Sequence, residues 1–126
     1  MKSYAWCLIV CVSALSASVA QTSPPAEIDP LVASPGNFKK LLENERVRVL
    51  EYTLRPGERD QWHTHPPKVS YVVSGGELRI HLADGTSFAS DEKEGTAVWM
   101  KAVPRHYAEN VGGTPVRIVL VEVKGT

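Results

Sequence analysis

From about residue 46 onward, apolar and polar positions alternate with a period of two, the spacing of strands with one face buried and one wet. Val47, Val49, Glu51 and Thr53 share one face of residues 46–54, and Arg48, Leu50, Tyr52 and Leu54 share the other. Leu78, Ile80 and Leu82 alternate with Glu77, Arg79 and His81. Residues 69–73, 86–89, 97–100 and 116–123 are further short runs rich in β-branched and apolar side chains. Turn residues punctuate them: Pro56-Gly57, Ser74-Gly75-Gly76, the two-residue hairpin signal Asp84-Gly85, Gly95 and Gly112-Gly113. Residues 37–44 fit either one helical turn or a first strand, and the strand that follows favours the second. With no long period of 3.6, the chain reads as an all-β fold, a small antiparallel sandwich or barrel with little or no helix.

The first twenty residues read differently. Lys2 precedes an apolar run over residues 5–15, and Ser18-Val19-Ala20 offers the small residues of a signal-peptidase site. Cleavage near Ala20 would leave 106 residues, enough for one domain. A retained anchor fits less well, since the run is short of the roughly 20 residues of a span. A lipid attachment at Cys11 fits poorly, because Val10 precedes it. Residues 21–36, with Pro24, Pro25, Pro30 and Pro35, read as an extended arm before a domain at 37–126. Localisation is then secreted or periplasmic. Both cysteines, Cys7 and Cys11, fall in the segment removed, so the mature chain has neither a disulfide nor a thiolate ligand. The 14 basic and 14 acidic residues are interspersed, which gives no reason to expect nucleic acid or, for the mature form, a membrane as partner. A domain this small leans on its closed sheet, and pairing through an edge strand into a homodimer would add support.

The candidate chemistry lies in the histidines. His63 and His65 stand two apart on a strand-like stretch, so both rings project from one face and Thr64 from the other. Imidazole is the commonest protein ligand for zinc, copper, iron and nickel. Alone, His-x-His fits two solvated strand histidines better than a metal site. The surroundings raise its weight. Gly57, five residues, His63, one residue, His65, and then Tyr71-Val72-Val73-Ser74-Gly75 resemble the first motif of the cupin superfamily. Gly95, then His106, three residues and Asn110 resemble the second.

The resemblance spans about residues 46–123 and implies a jelly-roll β-barrel. It also implies a divalent metal (iron, copper, nickel or zinc) held by His63, His65 and His106 with a glutamate from the first motif. The chain departs from the family there. The glutamate position falls at Lys68, or at Val69 with a shift of one, and no carboxylate lies between His65 and Gly76. An inward ammonium about 7 Å from a divalent ion would be repelled by roughly 5 kcal/mol at an effective dielectric of 20. Four outcomes follow: Lys68 swings out to solvent, it is neutral, an anion sits between the charges, or no metal binds.

Lys68, Arg48 and Tyr71 are candidate substrate contacts. Arg48 could hold a carboxylate if its face lines the barrel, although an exposed strand arginine is the commoner case. Trp62, Tyr71, Trp99, Met100 and Tyr107 suit core or barrel lining. His81 reads as a polar strand residue, and Asn110 as a turn-fixing one. The resemblance implies a small-molecule ligand and either dioxygenase-like or isomerase-like chemistry. A non-catalytic binding or sensing protein, and a metal-free epimerase or lyase using His65 or His106 as base, are the competing classes.

Overall fold

The structure is a computed structural model that describes residues 17–20, 23 and 26–125. Most of the expected signal segment and part of the proline-rich arm lie outside the described residues. Among the described residues one short helix, α1 (Pro30–Ala33), interrupts the arm, with the Asp29 side chain capping it through the Leu31 amide. Nine strands follow: β1 (Phe38–Glu43), β2 (Val47–Leu54), β3 (His63–His65), β4 (Lys68–Ser74), β5 (Gly76–Leu82), β6 (Ser87–Glu92), β7 (Ala97–Met100), β8 (Val103–Asn110) and β9 (Val116–Val123). They form two antiparallel sheets, β1-β2-β9-β4-β7 and β3-β8-β5-β6. This is the all-β jelly roll, and the ambiguous stretch at 37–44 is a strand.

The alternation does the sorting. Leu50, Tyr52 and Leu54 of β2, Val72 of β4, Leu78 of β5, Ala108 of β8, and Val116, Ile118 and Leu120 of β9 turn inward, with Phe38 of β1. Each fully buried leucine or valine contributes roughly 1.5–3 kcal/mol. Three local devices shape the functional end. Gly57 takes φ 80° in the turn after β2, a region closed to most side chains. The strand that returns from it is short because Pro66 and Pro67 follow His65 and carry no amide for a ladder. Asn110 ties the end of β8, donating to the carbonyls of Leu54 and Thr114 and accepting from the Gly112 amide, the turn-fixing role expected of it.

The aromatic expectation is corrected in part. Tyr71 is 46% exposed and Trp99 57%, whereas Met100 lines the barrel as expected. β7 is an edge strand paired only with β4, so its outward side chains have no neighbouring layer. Val69 pairs with Trp99 and Tyr71 with Ala97 on that outer face. Trp62 and Tyr107 are half-buried and packed edge to face at 4.7 Å, with Arg105 over the Trp62 ring.

Candidate metal centre

β3 and β8 place the three histidines. His63 pairs directly with His106 across the two strands; alternation turns both β3 rings to the interior, and a register shift places His65 opposite Val103. The ring centroids lie 4.8 Å apart for His63 and His65, 4.4 Å for His63 and His106, and 5.5 Å for His65 and His106. All three are buried. One ring nitrogen from each lies within 4.8 Å of the others, a set that could hold a metal ion. Phe38 packs on the rings of His63 and His65.

The arrangement fixes the tautomers. His63 Nδ1 lies 2.7 Å from the Gln61 carbonyl, and His106 Nδ1 lies 2.8 Å from the Pro104 carbonyl. A carbonyl only accepts, so both Nδ1 atoms carry the proton. His65 Nδ1 lies 2.8 Å from Glu122 Oε1 and donates to that carboxylate. Each ring therefore keeps Nε2 as a bare lone pair, the state a metal ligand needs, with an outer acceptor holding the other nitrogen. Burial keeps the rings neutral. It draws His65 down to about 3 and His106 down to about 4, and it lowers His63 as well.

A cavity of about 290 Å³ opens beside the histidines; His63, His65, Lys68, Ser70, Met100 and His106 are on its wall. Tyr52, Asp60, Glu92 and Phe38 also reach it. Asp60 is fully engaged, accepting from the Tyr52 hydroxyl at 2.8 Å and the Ala108 amide at 2.7 Å. Burial nevertheless raises its carboxyl above the ordinary range, against the pull of those two bonds.

Lys68 faces this cavity and is 4% exposed, so the outcome in which it swings out to solvent does not occur. Its ammonium donates to Met100 Sδ at 3.2 Å. Burial lowers it to about 8, partly offset by the fields of Glu122 and Glu92. Arg48 takes a different place from the one expected. It lies along a groove outside the barrel wall, where Nε donates to Glu122 Oε2 at 2.7 Å and the guanidinium grips Asp29 through Nη1 at 2.8 Å and Nη2 at 3.2 Å. The two carboxylates take three of its five N–H donors and hold it away from the cavity beside the histidines. Tyr71 points away from the cavity because it stands one step off Ser70 and Val72, which face in. His81 stays out of the cluster. It stacks on Tyr107 at 4.4 Å and meets Glu109 Oε2 at 3.3 Å.

Glu122 was not expected at the site. The sequence did carry a signal for it: Val116, Ile118 and Leu120 set the inward parity of β9, and Glu122 continues it as a carboxylate on an apolar face. It is 2% exposed and serves two cations or donors at once. Burial works against its charge, but the bonds from His65 and Arg48 prevail and hold its carboxyl below the usual range. No such signal marked Asp60.

The fold is shared with proteins of known structure. A cupin domain from Bordetella pertussis Tohama I is similar to this chain at 27% identity and a TM-score of 0.64, over 70% of this chain and 92% of that one. A protein with a double-stranded β-helix domain from Klebsiella pneumoniae is 28% identical with a TM-score of 0.55, over 74% of this chain and 82% of the other. A cupin family protein from Methanocaldococcus jannaschii, 22% identical over 68% of this chain and 77% of its own, shares the fold with a TM-score of 0.54. No family model and no curated protein matches the sequence. The class is thus a cupin-type double-stranded β-helix with a three-histidine cluster in its barrel, and these likenesses support membership of the cupin superfamily.

Proposed function

We propose that His63, His65 and His106 hold a divalent transition metal (iron, copper, nickel or zinc) and that the cavity beside it binds or transforms a small organic molecule. One observation carries this reading: three buried imidazoles whose Nδ1 atoms are all engaged outward, leaving three Nε2 lone pairs on one wall. The donor set fits a borderline cation and leaves coordination positions open. When bound, such an ion supplies Lewis acidity or activates dioxygen, which makes dioxygenase-like or isomerase-like chemistry the leading form of the proposal. The chain's own contribution is to exclude water, fix the tautomers through Gln61, Pro104 and Glu122, and place Lys68 against the ligand. Metal analysis of purified protein and of the His63→Ala, His106→Ala double variant tests it. About one ion per chain in the first and none in the second is expected, and negligible metal in both refutes it.

The second reading is a ligand-binding protein whose site holds no metal, favoured by the buried Lys68 cation where a carboxylate ligand is expected. Chelator separates the two. Ligand-induced thermal stabilisation that survives chelation supports this second reading, and stabilisation lost on chelation supports the first. We further propose that the chain is exported, on the strength of its amino-terminal pattern, and that it pairs as a homodimer. Exposed Val98, Trp99 and Tyr71 around the β7 edge support the pairing. Light scattering that shows a monomer at micromolar concentration would refute it.

A further inference from the structure

Lys68 is placed as no ordinary surface lysine is. Across the five-stranded sheet, Arg48 pairs with Glu122, Glu122 with Lys68 and Lys68 with Met100, so four inward or edge-on side chains form one row over β2, β9, β4 and β7. Glu122 is the carboxylate in that row, but its Oε1 is taken by His65 and its Oε2 by Arg48. Among the described residues Lys68 makes no salt bridge, and its side chain's hydrogen bond goes to the Met100 thioether. A thioether is a weak acceptor, and an ammonium has three protons to place. A buried ammonium with no direct ion pair is costly even with the carboxylates of Glu122 and Glu92 in range, and here the open space next to it is the cavity itself.

We propose that the cavity takes a small organic monocarboxylate, with its carboxylate seated on the Lys68 ammonium, turned toward the ion where the three Nε2 lone pairs hold one, and with hydroxyl groups at its far end. The proposal deepens the metal-site reading, since an ion held by neutral imidazoles lacks the same negative charge that Lys68 lacks. It does not require that ion, because Lys68 alone still needs an anion. The rest of the wall narrows the class. Asp91 and Glu92 of β6 line it from the edge of the four-stranded sheet opposite β3, with Glu92 accepting from the Ser90 hydroxyl. These carboxylates repel a dianion such as phosphate and offer acceptors to hydroxyl protons. The volume, about 290 Å³, lies at the lower bound of ligand pockets, which begin at roughly 300 Å³, so the molecule is small.

The test uses glycolate as probe, glycolamide as its neutral counterpart and inorganic phosphate as a dianionic competitor. Each is titrated calorimetrically into the full exported chain, zinc-loaded and chelator-stripped, and into Lys68→Met in both forms. The wild-type protein is expected to bind glycolate at least tenfold more tightly than glycolamide in both forms, more strongly when loaded. K68M is expected to lose at least tenfold for glycolate and little for glycolamide. Equal glycolate affinity in K68M and wild type overturns the proposal, and so does phosphate binding more tightly than glycolate. The metal reading fails separately: a lysine-dependent preference with no uptake of iron, copper, nickel or zinc sinks it and leaves the carboxylate site standing. Zinc uptake without any lysine-dependent preference does the reverse. If K68M does not fold, lysine-Cε carbon-13 signals of the wild-type protein serve instead. The buried lysine's signal is expected to move with glycolate and not with glycolamide, and a signal that stays still overturns the site.

Discussion

Glu122→Gln probes the site through its outer partner. The carboxylate accepts from Arg48 Nε at 2.7 Å and from His65 Nδ1 at 2.8 Å, and both atoms facing it are donors. An amide of the same shape has one acceptor and one donor end. The guanidinium is the charged donor and claims the amide oxygen. The amide NH₂ then faces His65, and the ring satisfies it only by becoming the acceptor at Nδ1. Its proton moves to Nε2, which faces the cavity and ceases to be a lone pair. The variant therefore keeps the ring in place while reversing its tautomer. Loss of an outer partner of this kind lowers metal affinity 10- to 100-fold, or about 1.4–2.8 kcal/mol. The lost charge-assisted bond also costs metal-free protein roughly 1.5–3 kcal/mol. Competition with a chromophoric chelator measures the first, urea denaturation the second, and long-range nitrogen-15 imidazole spectra report the tautomer. If metal affinity stays within twofold and the Nδ1-protonated tautomer persists, the ladder from Arg48 to His65 does not set the ligand state.

Other outcomes follow from the same geometry. Metal-free protein should lose stability as the pH falls below 6.5. The folded histidines are depressed, His65 to about 3 and His106 to about 4, so the unfolded chain binds protons there and the folded chain does not. Between pH 6.5 and 4.5 these two cost about 4 kcal/mol together, and a flat profile of urea midpoints over that window refutes it. Lys68→Met should stabilise metal-free protein at pH 7 by about 3 kcal/mol, because a lysine drawn down to about 8 is penalised while charged. The gain should shrink as the pH rises past 8 toward 10.5, and a loss of stability would refute it. Lys68→Glu should raise zinc affinity by restoring an anionic group to the cavity wall, as chelator competition would show; unchanged or weaker affinity counts against a ligand-position role for residue 68. Asp29→Ala removes the α1 cap and the Arg48 clamp, and costs about 1 kcal/mol at this half-exposed position. Hydrogen exchange at the Thr64 amide, which donates to the Ile28 carbonyl, should quicken, and unchanged protection would show that the arm is held without Asp29.

The sequence made the barrel readable because its strands obey parity. Leu50, Tyr52 and Leu54, or Val116, Ile118 and Leu120, announce an inner face with no knowledge of their partners. His63 and His65 were readable for the same reason, since spacing by two puts them on one face, and His106 was readable from the resemblance to the second cupin motif. Parity does not reveal who sits across a sheet. Arg48 has the correct face for a cavity residue, yet its fate depends on Glu122 in β9 and Asp29 in the arm, 74 and 19 residues away. Tyr71 and Trp99 are large and apolar enough for a core, but they stand on the outer parity of β4 and β7, where the sheet ends and no further layer covers them.

The same limit governs the missing glutamate. Counting along the first motif finds Lys68 and suggests that the site has lost its carboxylate. In space, Glu122 is the direct cross-strand neighbour of Lys68. A carboxylate thus remains at the histidines, supplied by the last strand and bonded to the outer nitrogen of His65. It orients a ligand from that position and does not act as one, so the inner face of the cavity carries a cation in its place. A site with the carboxylate inside offsets part of its metal's charge by itself. A site with the carboxylate outside and an ammonium inside leaves that neutralisation to whatever enters, which makes an anionic ligand part of the completed site.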